Sequence, residues 1–299
     1  MDLIPPTHPI SARHTTKAEL TLRYEDITQD GRLRLTTMPE CLARTVWGKL
    51  IGPSKLFGQL TAQGIAPLLT RLVIEGGDGP ISVAHPLQAI GRFRFAHSLD
   101  DDAEVQRIVL NMWGELNGPR ASVRDPQPEG RGETINVGRI FAEHTLSRPF
   151  AAKGERKVRR LDGITGISPY PKANYLGESP RGLLALPRGS EALEPLTADP
   201  QPVVFGVDDT DSNQHVNSLA YPGVFRAAAL RRFAQAGQSP KLMLRTLEIG
   251  FRKPSFAGES LHVHVRQFRY RSRVGAICTL GAEDPDQSPR CIARMYFTP

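Results

Sequence analysis

From Ser218 to Pro299 the chain reads as one helix followed by a run of strands joined only by turns. That order leaves few folds open. Short links between consecutive strands make antiparallel neighbours, because a parallel pair needs a crossover of about a dozen residues or more. A lone helix ahead of such a sheet must bury its apolar stripe against it. The result is an α+β unit whose sheet wraps around a central helix.

The residues support each element in turn. SLAYPGVFRAAALRRFAQAG sets Tyr221, Phe225 and Phe233 at near-helical spacing and carries Ala227, Ala228 and Ala229, small enough for close approach by a sheet. Gly237 then suits a left-handed helix cap. LMLRTLEIGF places Met243, Leu247, Ile249 and Phe251 on one side, and LHVHVRQFRY alternates Leu261, Val263 and Val265 with His262, His264 and Arg266. RVGAICTL and RCIARMYF follow, separated by the turn-rich GAEDPDQSP. Upstream, PQPVVFGV reads as a short strand and DDTDSNQHVN as a polar turn leading into the helix.

The first half repeats this order. KAELTLRYED is a strand and ITQDG a turn, and MPECLARTVWGKLIG is a helix with Leu42, Val46 and Leu50 four apart. The segments 86–98, 104–116 and 133–146 then read as strands, while the intervening 53–80 reads as a second helix and a turn. The halves superpose without gaps when Asp26 is set on Asp209; Asp30 then falls on Asn213, Leu33 on Val216 and Cys41 on Val224. In that frame Arg32 stands where the second half has His215, so a duplicated first half lacks whatever His215 does. Residues 151–202, rich in Pro and Gly, read as a connector lying over the surface. The expected organisation is a first domain over 1–150, the connector 151–202 and a second domain over 203–299, in keeping with a length of 299 residues.

Several function classes fall away. P-loop, GxGxxG, HExxH and GxSxG motifs are missing, and no tandem repeat is visible. No apolar run approaches the ~18 residues of a spanning helix, and the N-terminus carries no secretory signal pattern. Cys41, Cys278 and Cys291 form neither a CxxC site nor an even framework, and read as buried thiols of a reducing, cytoplasmic compartment. The net charge of +7 attracts polyanions in general. CoA phosphates and an acidic carrier protein fit the same sign as nucleic acid, and charge alone does not choose between them; GERKVRR lacks the interleaved aromatics of a nucleic-acid patch. His262 and His264 have metal-compatible spacing but no evident third ligand, so an exposed strand face is expected there.

DDTDSNQHVNSLAYPGVFRAAALRRF, with EIGFRKPSFAGESLHVHV downstream, resembles the acyl-thioester hydrolases of the hotdog fold. The resemblance is greatest to the acyl-ACP thioesterases, which carry two tandem hotdog domains in one chain. It rests on Asp211, Asn213, Gln214, His215, Val216, Asn217 and Tyr221, then Arg252, Lys253, Pro254 and Gly258. It implies a double hotdog, a single site in the second domain, and hydrolysis of acyl-CoA or acyl-ACP without a cofactor. His215 would act as general base, since a histidine's ordinary pKa of about 6.5 suits proton transfer at neutral pH. Asn213 would orient water or the thioester carbonyl, and Asp211 takes the place of a carboxylate nucleophile or base. Backbone N–H groups near Asn217 would form an oxyanion pocket, with Tyr221 beside the substrate. Arg252 and Lys253, joined by Arg266, Arg269, Arg271 and Arg273, would meet substrate phosphates. Exposed hotdog edges leave room for pairing with another copy of the chain.

Two departures from the family pattern keep other readings open. The helix VFRAAALRRFA carries no acid, and Ser255 stands where the plant-type enzymes have Cys. A non-hydrolytic acyl-thioester-binding protein fits these losses. A hotdog hydratase or dehydratase is the other alternative, although NQHVNSLAY lacks that group's acid-containing helix start.

Overall fold

The computed structural model describes every residue except Met1, Asp2, His8, Pro53, Ser54, Val123, Pro126, Pro285 and Asp286. The chain forms two compact units, Met1–Gly177 and Glu178–Pro299. The connector is divided between them: its first part packs with the first unit and residues from Glu178 onward with the second.

In the first unit β1 (Thr15–Leu20), β3 (Leu87–Leu99), β4 (Val105–Pro119), β5 (Thr134–Ser147) and β2 (Ala66–Gly76) lie in that spatial order, all antiparallel. Helix α1 spans 39–51 and contains a π-helical turn at Ala43–Trp47. Its Leu42, Val46 and Leu50 are buried as the spacing predicts. The helix sits on a floor of small residues. Gly91 and Gly114 face each other across β3 and β4, and a Cβ at Gly114 would lie 2.6 Å from Ile140 Cγ2 and 2.9 Å from Cys41 Sγ. A side chain there would lift the helix off the sheet.

The region 53–80 differs from expectation. Helix α2 (Leu56–Ala62) is present, but the remainder is the eleven-residue strand β2. Its alternation is masked because Arg71 and Glu75, the polar residues on one face, are themselves buried. Arg71 pairs in register with Glu143, and Glu75 accepts from Arg139 at 2.5 Å. A strand buried on both faces loses the apolar–polar rhythm that would reveal it.

In the second unit β9 (Met243–Phe251), β12 (Cys291–Thr298), β11 (Arg273–Gly281) and β10 (Ser260–Tyr270) form an antiparallel sheet. The two-residue strands β6 (Glu191–Ala192), β7 (Thr197–Ala198) and β8 (Val203–Val204) each pair with β10 and cover its edge. Helix α3 (Tyr221–Gln235) begins with Pro222 in its first turn and buries Phe225, Ala228, Ala229 and Phe233. Each buried Phe contributes about 2–3 kcal/mol to the packing. Ala227, expected with its neighbours against the sheet, points to solvent. His264 also departs from expectation: it is 2% exposed, and its Nε2 lies 2.8 Å from the Glu283 carbonyl. The 281–289 turn folds over it, and Pro285 and Asp286 of that turn lie outside the described residues.

The two units share most of the backbone bonding of the loop ahead of their central helices, in the frame that sets Asp26 on Asp209. The Arg23 and Gly206 N–H groups donate to the Asp26 and Asp209 carboxylates, each at 2.8 Å. Thr28 N donates to Arg32 O as Asp211 N does to His215 O, and Arg34 N to Asp26 O as Asn217 N does to Asp209 O. Ile27 bridges Leu33 as Thr210 bridges Val216. Gly31 and Gln214 occupy the same left-handed position, at φ 78° and 62°. Pro39 and Pro222 open the helices that follow.

Candidate functional site

In the second unit the loop 208–217 presents its polar side chains at the start of α3. A single turn of 3-10 helix, Val207–Asp209, is held by the Asp209 carboxylate on Gly206 N. Asp211 then starts an Asx-type turn: its Oδ1 accepts from Asn213 N at 2.8 Å and its carbonyl accepts from Gln214 N at 2.9 Å. Gln214 takes the left-handed conformation that a non-glycine residue adopts only at a cost of about 1–2 kcal/mol. The turn therefore leaves Asn213 and His215 exposed, two residues apart, with Asp211 half-buried.

His215 has one aromatic neighbour, Phe256, in an edge-on contact at 5.2 Å between ring centroids. The next residue is anchored: Val216 N donates to the Ser255 carbonyl at 2.9 Å. Asn217 closes the loop, with its Oδ1 accepting from Leu219 N at 2.9 Å. The three N–H groups of Asn217, Leu219 and Ala220 are all engaged, to Asp209 O, Asn217 Oδ1 and Asn217 O. Of the backbone N–H groups near Asn217 from which the sequence suggests an oxyanion pocket, these three are taken up within the loop. The His215 and Ser218 N–H groups have no partner among the described residues and remain for a ligand.

Tyr221 lies beneath this loop rather than in it. It is 3% exposed, with its ring 5.5 Å from Phe205 and 5.7 Å from Phe251. Burial pushes the phenol's pKa up, and the neighbouring Ser255 partly offsets the shift. Ser255 is itself fully buried. It lies out of solvent, and its carbonyl accepts from Val216 N of the loop.

Arg252 and Lys253 begin the turn after β9. Both backbone N–H groups donate to Arg290 O, at 2.8 and 3.0 Å, and Arg252 Nη1 donates to Pro289 O at 3.0 Å. Burial, then the charge of Arg181, lowers the Arg252 pKa. Lys253 is exposed. The other arginines are elsewhere. Arg266 Nη2 donates to Leu184 O, and Arg269, Arg271 and Arg273 sit at the far end of the β10–β11 hairpin. At about 3.3 Å per residue, ten residues of β10 carry them roughly 30 Å from the loop end of that strand. They take no part in this site.

The acids near the loop are occupied. Glu259 receives both guanidinium nitrogens of Arg290, at 2.6 and 2.9 Å, and Glu248 lies 3.6 Å from Arg294. Among the described residues no group of three or more His, Cys, Asp and Glu side chains could hold a metal ion, and no helix is long and apolar enough to cross a membrane. The corresponding loop of the first unit borders a cavity of about 470 Å³ lined by Tyr24, Thr28, Asp30, Pro80, Ser122 and Arg124 among others. Asp30 there accepts from Thr28 Oγ1 at 2.5 Å, and Arg32 replaces the histidine. The glutamate–arginine clamp was not visible in the sequence, because its two residues are 31 positions apart. The basic turn and Gly258 were the only local hints.

No protein-family profile matches the sequence, and no curated protein matches it. Solved structures do match over nearly the whole chain. A protein provisionally named an oleoyl thioesterase, from Lactobacillus plantarum, superposes with a TM-score of 0.63 at 13% identity, covering 97% of both chains. A 12:0-ACP thioesterase from Umbellularia californica gives 0.59 at 10% identity, covering 95% of this chain and 94% of its own. An acyl-ACP thioesterase from Bacteroides thetaiotaomicron gives 0.57 at 14%, covering 96% and 98%. The chain has the double-hotdog fold of these proteins, two tandem units each with an antiparallel sheet around a central helix.

Proposed function

We propose that the chain hydrolyses an acyl thioester, acyl-CoA or acyl-ACP, at the loop 208–217 of its second unit. The observation that carries this reading is the single turn, tied by Asp211 to the Asn213 N–H, that leaves Asn213 and His215 exposed two residues apart. The likeness of the whole fold to structures named as thioesterases adds to it.

In this reading His215 takes a proton from water as the water oxygen adds to the thioester carbon. The carbonyl π electrons move to oxygen, where the Asn213 amide and the free N–H groups of His215 and Ser218 stabilise the charge. Collapse reforms the carbonyl and breaks the carbon–sulfur bond; the thiolate leaves and takes the proton from His215. The products are the free acid and the thiol. Asp211 shapes the turn through Asn213 N and, with its second oxygen, orients the attacking water. Asn217 closes the loop beside the substrate and Tyr221 forms its floor. Arg252 and Lys253 attract the phosphates of the CoA or carrier arm. A soluble, cytoplasmic setting fits these substrates.

The test is thiol release from acyl-CoAs of graded chain length and from acyl-ACP, with wild type and His215→Ala in parallel. Hydrolysis that falls by about 100-fold or more in the variant is the expected result; full activity in His215→Ala overturns the reading. One observation favours the alternative of acyl-thioester binding without turnover: no acid stands on α3, and Glu248 and Glu259 are both paired with arginine. Tight retention of acyl-CoA with no thiol release from any substrate would select it.

A further inference from the structure

The turn 252–259 is held by an ion pair whose connections lead to His215 step by step. Arg290 reaches the turn with three groups. Its Nη1 and Nη2 grip the Glu259 carboxylate at 2.6 and 2.9 Å, its Nη1 also donates to Pro254 O at 2.7 Å, and its carbonyl accepts from Arg252 N and Lys253 N. Glu259 in turn accepts from Phe256 N at 2.8 Å through Oε2. The start of the turn is thus fixed by the Arg290 backbone, and its middle and end by the Arg290–Glu259 side-chain pair.

What the turn then touches is the candidate loop. The Ser255 carbonyl, between the Pro254 oxygen bound by Arg290 and the Phe256 nitrogen bound by Glu259, accepts from Val216 N. The Phe256 ring stands edge-on to the His215 ring. The backbone after His215 and the side of its imidazole are therefore both set by the same three residues, Pro254, Ser255 and Phe256. From this chain of contacts we infer that Glu259 and Arg290 are positioning residues for His215, a clamp that fixes the histidine's height and rotation over the loop. The inference rests on the hydrolase reading for its catalytic meaning, but its geometry stands apart from it.

The arrangement suits the task. Bidentate carboxylate–guanidinium pairing is directional as well as strong. Burial works against the Glu259 charge, but the Phe256 N–H and the Arg290 guanidinium outweigh it and hold the carboxyl below the usual carboxylate range. The pair therefore stays ionised with both carboxylate oxygens held by Arg290, so Glu259 does not stand in for the acid absent from α3. A displacement of His215 by about 1 Å is enough to cost roughly 100-fold in rate.

The experiment combines activity with a direct view of the histidine. Glu259→Ala and Arg290→Lys are compared with wild type for kcat and KM on the best thioester substrate. The same variants, with His215→Ala to assign the signal, are followed by NMR of the His215 ring protons, which the edge of Phe256 shifts. The clamp predicts a fall in kcat of about 10- to 100-fold with KM changed less than about threefold, a displaced His215 resonance, and no further loss when Glu259→Ala is added to His215→Ala. Arg290→Lys keeps the charge but not the fork, and should show the same displacement at smaller size. Glu259→Gln, which keeps the Phe256 acceptor, should recover part of kcat. An unmoved His215 resonance in both Glu259→Ala and Arg290→Lys overturns the inference, as does an equal loss from Glu259→Ala with and without His215. If no thioester is turned over by the wild type, the hydrolase reading fails while the resonance still decides the clamp.

Discussion

Gly114 offers a quantitative test of how the first unit is packed. An alanine there would place its Cβ 2.6 Å from Ile140 Cγ2, 2.9 Å from Cys41 Sγ and 3.1 Å from Leu42 Cδ2. Carbon contacts are relaxed only at about 3.5–4.0 Å, so helix α1 and strand β5 must both retreat by roughly 0.5–1 Å. Ile140 cannot move alone, because it is paired in register with Gly114 itself. Overpacking of this kind costs about 1–3 kcal/mol, and replacing glycine inside a strand returns about 0.5–1. The net expectation is a loss centred near ~1 kcal/mol and reaching about 2.5, a fall in melting temperature of roughly 2–4 °C at the centre for a unit of this size. The assay is built into the chain: Trp47 and Trp113 are its two tryptophans and both lie in the first unit, so their fluorescence follows that unit alone. Gly154, with nothing within 4 Å of its would-be Cβ, is the matched control and should be neutral as alanine. If Gly114→Ala melts at or above the wild-type temperature while Gly154→Ala is neutral, α1 does not sit on a glycine floor.

Two further predictions concern buried groups. His144 stands edge-on to Trp47 at 5.3 Å between ring centroids; burial lowers its pKa to about 4, opposed by the Leu110 carbonyl. Its folded pKa lies below the unfolded value of about 6.5, so between those values the unfolded chain binds the extra proton and stability falls as the pH is lowered. The slope approaches 1.4 kcal/mol per pH unit. His144→Leu should flatten the difference in denaturation midpoint between pH 7 and pH 5 measured by tryptophan fluorescence, and an unchanged difference would count against the assignment. Burial also raises the pKa of all three cysteines, Cys41 to about 12. Titration with a thiol reagent at pH 8 should find none reactive in the native protein and all three after unfolding; a thiol that reacts at once in native protein would mark an opening the structure lacks.

Much of the fold was legible because its signals are local. The helix at 221–235 and the four strands after it follow from spacing that one amphipathic face imposes, and the matched strands of the first half read the same way. Strand β2 was missed where that logic fails, since Arg71 and Glu75 interrupt its run yet are buried beside Glu143 and Arg139. His264 was misjudged for a related reason: its cover comes from a turn about 20 residues away in the sequence, at Glu283. The candidate loop could be read from NQHVN, because an Asx turn and a helix start are short-range devices. What holds that loop could not, because Arg290 meets Glu259 and Pro254 only once β9 and β12 have paired.

The repeated loop separates what the backbone supplies from what the side chains supply. Both units reproduce the same bridge, the same capped 3-10 turn and the same left-handed residue, so the local geometry of a hotdog loop is present twice. In the first unit, however, Thr28, Asp30, Arg32 and Arg34 occupy the positions of Asp211, Asn213, His215 and Asn217. An arginine keeps its proton throughout the physiological range and cannot accept one from water, and Asp30 is drawn onto Thr28 within the turn. The first loop therefore has the scaffold of the second without its histidine, and its carboxylate, Asp30, stands where the second loop has Asn213. Fold likeness to thioesterases applies equally to both units; only the side chains distinguish them. The hydrolase reading proposed for this chain therefore rests on the residues that the second loop carries and the first does not, rather than on the fold that carries both.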